Sequence, residues 1–235
     1  MVFPNLTHTL ICSMLLVFFI LPERNLIMEN TALGGKVELL SPINYCFNFK
    51  WGSEGSANGQ FLRPHDVNFD SKGNVYVSDR DRNDIQKFTP NGTFLMKWGS
   101  EGNNAGQFNV PYSIEVDPFD NIYVVDRGND RIQKFDENGK FVKQWGSEGK
   151  GKGEFTPLLE HLEVDSKQDR IFMVDGALNP RIQVFDTNGN FTTTFGTSGN
   201  GDGQFSKPEH VNIDSSGNVY VVDRGNQRMQ VFSQC

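Results

Sequence analysis

The sequence predicts an all-β propeller of four-stranded antiparallel blades, and three observations carry that expectation. The segment WGSEG stands at 51, 98 and 145 and returns as FGTSG at 195, so the chain repeats itself at spacings of 47, 47 and 50 residues. Within each copy apolar residues alternate, as in Val75-x-Val77 and Ile122-x-Val124, which is the period of a half-buried strand. Short polar turns then divide every copy into four such runs. Four strands in about 45 residues is the signature of a propeller blade. The composition agrees: 24 glycines and 20 phenylalanines stand against 10 prolines in 235 residues, which favours a turn-rich β protein over a helical one.

Each copy is read in order. A Gly-x-Phe element comes first, ending at Phe61, Phe108, Phe155 and Phe205, and leads into strand a, written VNFD, IEVD, LEVD and VNID. Strand b follows as NVYVSD, NIYVVD, RIFMVD and NVYVVD, and strand c as DIQKF, RIQKF, RIQVF and RMQVF. The turns PNGT, ENGK and TNGN lead into strand d, and their Asn-Gly pairs predict tight hairpins in which both turn residues take positive φ.

The ends of this pattern raise a closure question. FNFKW at 47–51 aligns with FLMKW, FVKQW and FTTTF, so it reads as a strand d with no a, b or c before it. The last copy has a, b and c, ending at Phe232, and no d. The expectation is that the N-terminal strand completes the last blade, giving four blades closed without free sheet edges. That alignment brings Cys46 and Cys235 to neighbouring turn positions, and a disulfide between them is predicted. Such a clasp would stabilise by about 4–5 kcal/mol in the chain-entropy view.

Residues 10–21, LICSMLLVFFIL, form an apolar run of signal-peptide length, too short for an ordinary span. The expected organisation is therefore a signal peptide or N-terminal membrane anchor at 1–25, a linker at 26–44 and the propeller at 45–235. Two N-glycosylation patterns, Asn91-Gly-Thr93 and Asn190-Phe-Thr192, fit export. The expected location is extracellular, or membrane-anchored and facing outside.

The pattern GQF-x-x-P, then V-x-x-D, then GN-x-YVVDRGN-x-RIQ-x-F resembles the NHL-repeat β-propeller family, with four copies over 45–235. Some members of that family are ubiquitin ligases, but that activity belongs to a RING module rich in spaced cysteines, and this chain has only 3 cysteines. The resemblance therefore implies a fold and a binding role, not ligase chemistry.

Internal repetition separates scaffold from site. Asp79, Asp126, Asp175 and Asp223 close strand b in every copy, and Arg131, Arg181 and Arg228 open strand c in three, with Asp84 in the fourth. Such residues are expected to serve turn hydrogen bonds and inter-blade ion pairs. The irregular positions lie at the start of strand a, nearest the axis. One level holds His65, Tyr112, Glu160 and Glu209; the next holds Asp66, Ser113, His161 and His210. These eight are the candidate ligand site at the channel mouth. Histidines and carboxylates suit zinc or another divalent ion. The resemblance to a propeller lyase, the peptidyl-hydroxyglycine amidating lyase, implies an alternative metal site at His65, His161 and His210. Only Pro64-His65 keeps that lyase's Pro-His motif. On strict strand alternation, His161 and His210 would face away from His65.

A net charge of −7 argues against nucleic acid as the partner. Arg80, Arg127 and Arg224 follow the strand-b aspartate in three copies and would form a partial basic ring, but acidic residues alternate with them. The expected role is an exported or tethered scaffold for a protein, peptide or small ligand, without a cofactor. The membrane is met only through the N-terminal segment. A metal-dependent lyase is the alternative.

Overall fold

The computed structural model describes residues 45–176 and 178–234. The predicted run at 10–21, the linker at 26–44 and Cys235 lie outside the described residues; Cys46, the other half of the predicted clasp, is exposed. Among the described residues no helix is long and apolar enough to cross a membrane.

The fold class is the one predicted. Four antiparallel sheets follow one another about a common axis as the blades of an all-β propeller, within the compact unit Asn48–Cys235. The first blade holds β1 (Pro64–Phe69), β2 (Val75–Asp79), β3 (Asp84–Phe88) and β4 (Phe94–Trp98). The second holds β5 (Pro111–Val116), β6 (Ile122–Asp126), β7 (Arg131–Phe135) and β8 (Phe141–Trp145). The third holds β9 (Leu162–Asp165), β10 (Arg170–Asp175), β11 (Arg181–Phe185) and β12 (Phe191–Phe195). A short parallel pair follows, β13 (Thr197–Ser198) with β14 (Gln204–Phe205), and single bridges such as Glu101 to Phe108 take its place in the other copies. The fourth blade holds β15 (Pro208–Ile213), β16 (Val219–Asp223) and β17 (Arg228–Phe232).

The repeated aspartates hold each blade's inner corner. Asp126 is fully buried and accepts from Asn109 N at 2.7 Å, Arg131 Nε at 2.7 Å, Asn129 Nδ2 at 2.9 Å and Gln133 Nε2 at 3.0 Å. A buried carboxylate persists only with such partners. Arg131 in turn donates to the carbonyls of Asn103, Asn104 and Gln107, fastening the loop that enters its own blade. These ion pairs therefore lie within blades rather than between them, as sequence spacing had suggested. In the first blade, where Asp84 replaces the arginine, Arg82 reaches the carbonyls of Gly55, Ala57 and Gln60 in the corresponding loop and pairs with Asp84 at 2.9 Å.

The apolar core lies in the seams between blades. Each blade presents a trailing face to the blade before it and a leading face to the blade after it. In the seam of blades two and three, Tyr123, Ile132 and Trp145 from the leading face meet Phe155, Leu162 and Ile171 from the next trailing face. Blades one and two, and three and four, repeat the arrangement.

Two local expectations are corrected. In the c–d turns only the glycine takes positive φ, at 81° for Gly92 and 70° for Gly139. The ladder shifts register beside it, so the turn is longer and bulged rather than a two-residue hairpin. The glycine has a second task. A Cβ at Gly139 would stand 2.7 Å from the Trp98 ring, which lies across this turn from the preceding blade.

The N-terminal strand does not complete the last blade. The fourth sheet has three strands, β15-β16-β17, and residues 45–51 form no strand. Trp51 packs instead on the first blade, 6.0 Å from the Phe88 ring and over Gly92. Trp98 takes the same position on the second blade's Phe135, at 5.8 Å. Residues 48–51 thus lie where the strand d of a preceding blade would lie, held by the aromatic contact to the first blade and not by a ladder to β17.

Candidate functional site

All eight predicted residues line one cavity of about 520 Å³ at the channel mouth, joined by Arg127, Lys207, Val222 and Arg224. They converge because the mouth end of the innermost strands is bulged. The β1–β2 register passes from Pro64 to Asp66 with His65 left out, and the β15–β16 register from Pro208 to His210 with Glu209 left out. In β5 the jump runs from Pro111 to Ile114 and frees Tyr112 and Ser113. A bulge re-aims side chains, so the expectation that His161 and His210 face away from His65 fails. In the third blade Glu160 and His161 precede β9, and irregular backbone bonds to Val174 hold them.

The side chains form three groups. His65 lies against Tyr112, with ring centroids 3.7 Å apart and its Nδ1 3.2 Å from the Tyr112 carbonyl oxygen. The Arg80 and Arg127 guanidiniums stand over the same tyrosine ring at 5.0 and 4.3 Å, a cation–π arrangement. Burial and these two arginines lower the His65 pKa, against the opposing pull of the Tyr112 carbonyl and Asp66.

In the second group, His161 and His210 stack with centroids 3.6 Å apart and planes at 21°. Burial, with the neighbouring His210, brings the His161 pKa down to about 4, so its ring is neutral at neutral pH.

The third group is made of ion pairs. Arg127 pairs with Glu160 at 3.2 Å; Lys207 and Arg224 pair with Glu209 at 3.1 and 2.6 Å. Burial raises the Glu160 pKa despite Arg127, whereas Arg224 and Lys207 outweigh burial at Glu209 and lower it. The basic ring expected from Arg127 and Arg224 is thus neutralised by glutamates of the next blade and of the same blade.

Asp66 is also engaged, accepting from Ile114 N at 3.0 Å. The Ser113 hydroxyl and His161 Nδ1, on two residues that line this cavity, are buried and lack a hydrogen-bond partner. Among the described residues no three His, Cys, Asp or Glu side chains are placed to hold a metal ion. The triad of His65, His161 and His210 is not assembled, because His65 turns to Tyr112 while the other two stack on each other.

Sequence reasoning missed the layer below. Two residues along each inner strand stand Asn68, Glu115, Glu163 and Asn212. Asn68 Nδ2 donates to Glu115 Oε2 at 2.9 Å across the seam. Burial, then Glu163 and Asp66, push Glu115 up to about 8, and burial with Asp165 pushes Glu163 up to about 7. The signal was present in the alternation of Asn and Glu among VNFD, IEVD, LEVD and VNID.

Comparisons with known proteins agree with this architecture. A family model described as a 6-bladed beta-propeller matches residues 120–179 and 158–233, and an NHL repeat model matches residues 61–88. The E3 ubiquitin-protein ligase TRIM71 of Gallus gallus is 48% identical over 44 residues, which are 19% of this chain and 5% of that protein. Its counterpart in Bos taurus is 46% identical over 44 residues. Among solved structures, a catalytically inactive virginiamycin B lyase from Staphylococcus aureus with quinupristin aligns with a TM-score of 0.54 at 17% identity, over 73% of this chain and 55% of that one. A streptogramin B lyase aligns with a TM-score of 0.55 at 13% identity, over 73% and 54%. The chain therefore spans about half the length of these structures and a small part of the curated relatives, and at these identities the structures share the fold alone. With four blades in register and the repeat model matched on the first, the chain is a β-propeller that carries an NHL repeat and is similar to the NHL-repeat propellers.

Proposed function

We propose that the chain is a binding scaffold whose channel-mouth cavity holds a short, uncharged hydrogen-bonding segment of a peptide or a small molecule of that kind. The carrying observation is how the charges are used. The three mouth carboxylates already have partners, and two of the three histidines have lowered pKa values. The Ser113 hydroxyl and His161 Nδ1, by contrast, lack partners. A charged ligand would have to compete with existing pairs, whereas an amide or hydroxyl group would satisfy groups that are otherwise costly to bury. An interaction module of the NHL type fits this role, and a location outside the cell or at a membrane is part of the proposal on the strength of residues 10–21.

The metal-dependent lyase is the weaker reading, since it needs three ligands on one ion and His65 stands apart from the stacked pair. The test is a titration of the folded protein with a set of short neutral peptides, followed by NMR. Saturable shifts at Ser113, His161 and Tyr112 that Ser113→Ala weakens about 5- to 10-fold, the worth of one hydrogen bond, support the reading. Shifts confined to outer loops, or none for any peptide, sink it.

A further inference from the structure

We propose that the exported chain carries an N-linked glycan on Asn91 and none on Asn190, although each begins an Asn-x-Thr acceptor pattern. The inference rests on the export reading above, because the donor, an oligosaccharide carried on a lipid diphosphate, is met only along that route. In the transfer the anomeric carbon of the sugar bonds to Asn91 Nδ2 while its bond to the diphosphate oxygen breaks. The lipid diphosphate leaves with that electron pair, and Nδ2 gives up one of its two protons to a base of the transferase.

The surroundings of Asn91 suit an acceptor. It stands at the tip of the turn between β3 and β4 and is exposed, as are its counterparts Asn138 and Asn188 in the second and third blades. Those two blades each follow another blade, so exposure at this position belongs to the turn and not to the start of the chain. Only the first copy has a threonine two residues on; the others read Asn138-Gly-Lys140 and Asn188-Gly-Asn190. Asn91 Oδ1 accepts from the hydroxyl of Thr89 and, at 3.1 Å, from that of Thr93. Its Nδ2, the atom to be modified, donates to no group among the described residues. The whole triplet lies in the turn, ahead of β4.

Asn190 ends the equivalent turn of the third blade and serves the turn itself. Its Nδ2 donates to Asp186 Oδ2 at 2.7 Å. The same bond recurs in the turns between the first two strands of a blade, from Asn74 to Asp70, Asn121 to Asp117 and Asn218 to Asp214, each at 2.8 Å. The rest of its triplet, Phe191 and Thr192, already lies in β12, and Phe191 packs on the Phe185 ring at 5.9 Å. A sugar on Asn190 would crowd the Asp186 carboxylate, and presenting this triplet to a transferase would open the start of β12. A third pattern, Asn5-Leu-Thr7, lies outside the described residues.

The placement also spares the mouth. β1 starts at the mouth and the strands alternate in direction, so the β3–β4 turn lies at the opposite end. A glycan on Asn91 covers that far rim and leaves the mouth cavity open to its ligand.

The test expresses the full chain in secretory cells twice, once as it stands and once behind a supplied, cleavable signal sequence. Peptide mapping with and without an N-glycosidase should find Asn91 occupied in most molecules and Asn190 in almost none. Asn91→Gln and Thr93→Ala should each abolish the glycan of this turn, whereas Thr93→Ser and Asn190→Gln should keep it. Asn91 left unmodified in a chain whose supplied signal has been cleaved, or Asn190 occupied as fully as Asn91, overturns the proposal. If Asn91 is modified only behind the supplied signal, its assignment as the acceptor is supported and the export reading alone falls.

Discussion

Ile132 and Met229 hold the same place in the third strand of their blades, yet Ile132 is fully buried and Met229 is 55% exposed. The difference lies in the neighbour and not in the residue. In a structure built of successive units, each apolar face is covered by the next unit and stability accrues seam by seam. A strand pattern therefore predicts which side chains are fit for burial, while the actual burial depends on whether another blade follows. The same comparison holds for charge: the Asp126–Arg131 pair inside the second blade is nearly sealed, while Arg228, the partner of Asp223 in the fourth, keeps 27% of its side-chain exposure.

The sharpest break of this comparison is at the sealed pair. Asp126→Ala removes the acceptor of four donors and leaves Arg131 buried, and should cost about 3–5 kcal/mol in chemical denaturation; Asp223→Ala, at the open end, should cost clearly less. Equal losses would mean that the fourth blade is as enclosed as the second. Next is Ile132→Ala, where the lost packing and the cavity should cost about 2–5 kcal/mol. A small loss there would show that the seam between blades two and three is loosely packed.

A third effect concerns pH. Burial holds Glu115 protonated, with a pKa of about 8 against an ordinary 4.5. Below 4.5 the folded and unfolded chains both carry the proton, and between 4.5 and about 8 only the folded chain retains it. This contribution is thus fully present at the acid end of the window and is lost as pH rises. Glu115→Gln should flatten that decline in melting temperature, and an unchanged slope would remove Glu115 as its source. The smallest effect is Met229→Ala under monomeric conditions, which should stay within about 0.5 kcal/mol. A loss of the size seen for Ile132→Ala would show that the last leading face is covered in solution.

Much of the fold was legible in the sequence. Strand alternation and the repeated aspartates depend on neighbours a few residues away, and the copies check one another. The candidate site was legible as a set of residues, since departures from the repeat mark positions released from scaffold duty. Its geometry was not. The bulges that free His65, Tyr112 and Glu209 arise at the strand starts and leave no period in the sequence. The pairing of Arg127 with Glu160 joins residues of successive blades, a relation that spacing within one copy does not hold. The closing strand was misplaced for a related reason. FNFKW has the chemistry of a strand d, but Trp51 is bound by the aromatic surface of the first blade rather than by the backbone of the last.

The seam position of the tryptophans has a spectroscopic consequence. Trp51, Trp98 and Trp145, the chain's three tryptophans, each lie over the turn glycine of the blade that follows. At the seam of blades three and four Phe195 holds the corresponding place and is silent at tryptophan wavelengths. Intrinsic fluorescence of this protein is therefore a record of its joints, with Trp98 and Trp145 reporting interior seams. Trp51, the most exposed of the three, should emit furthest to the red and shift to the blue when its end of the molecule is covered. Replacing the other two with phenylalanine would leave a single lamp at that end.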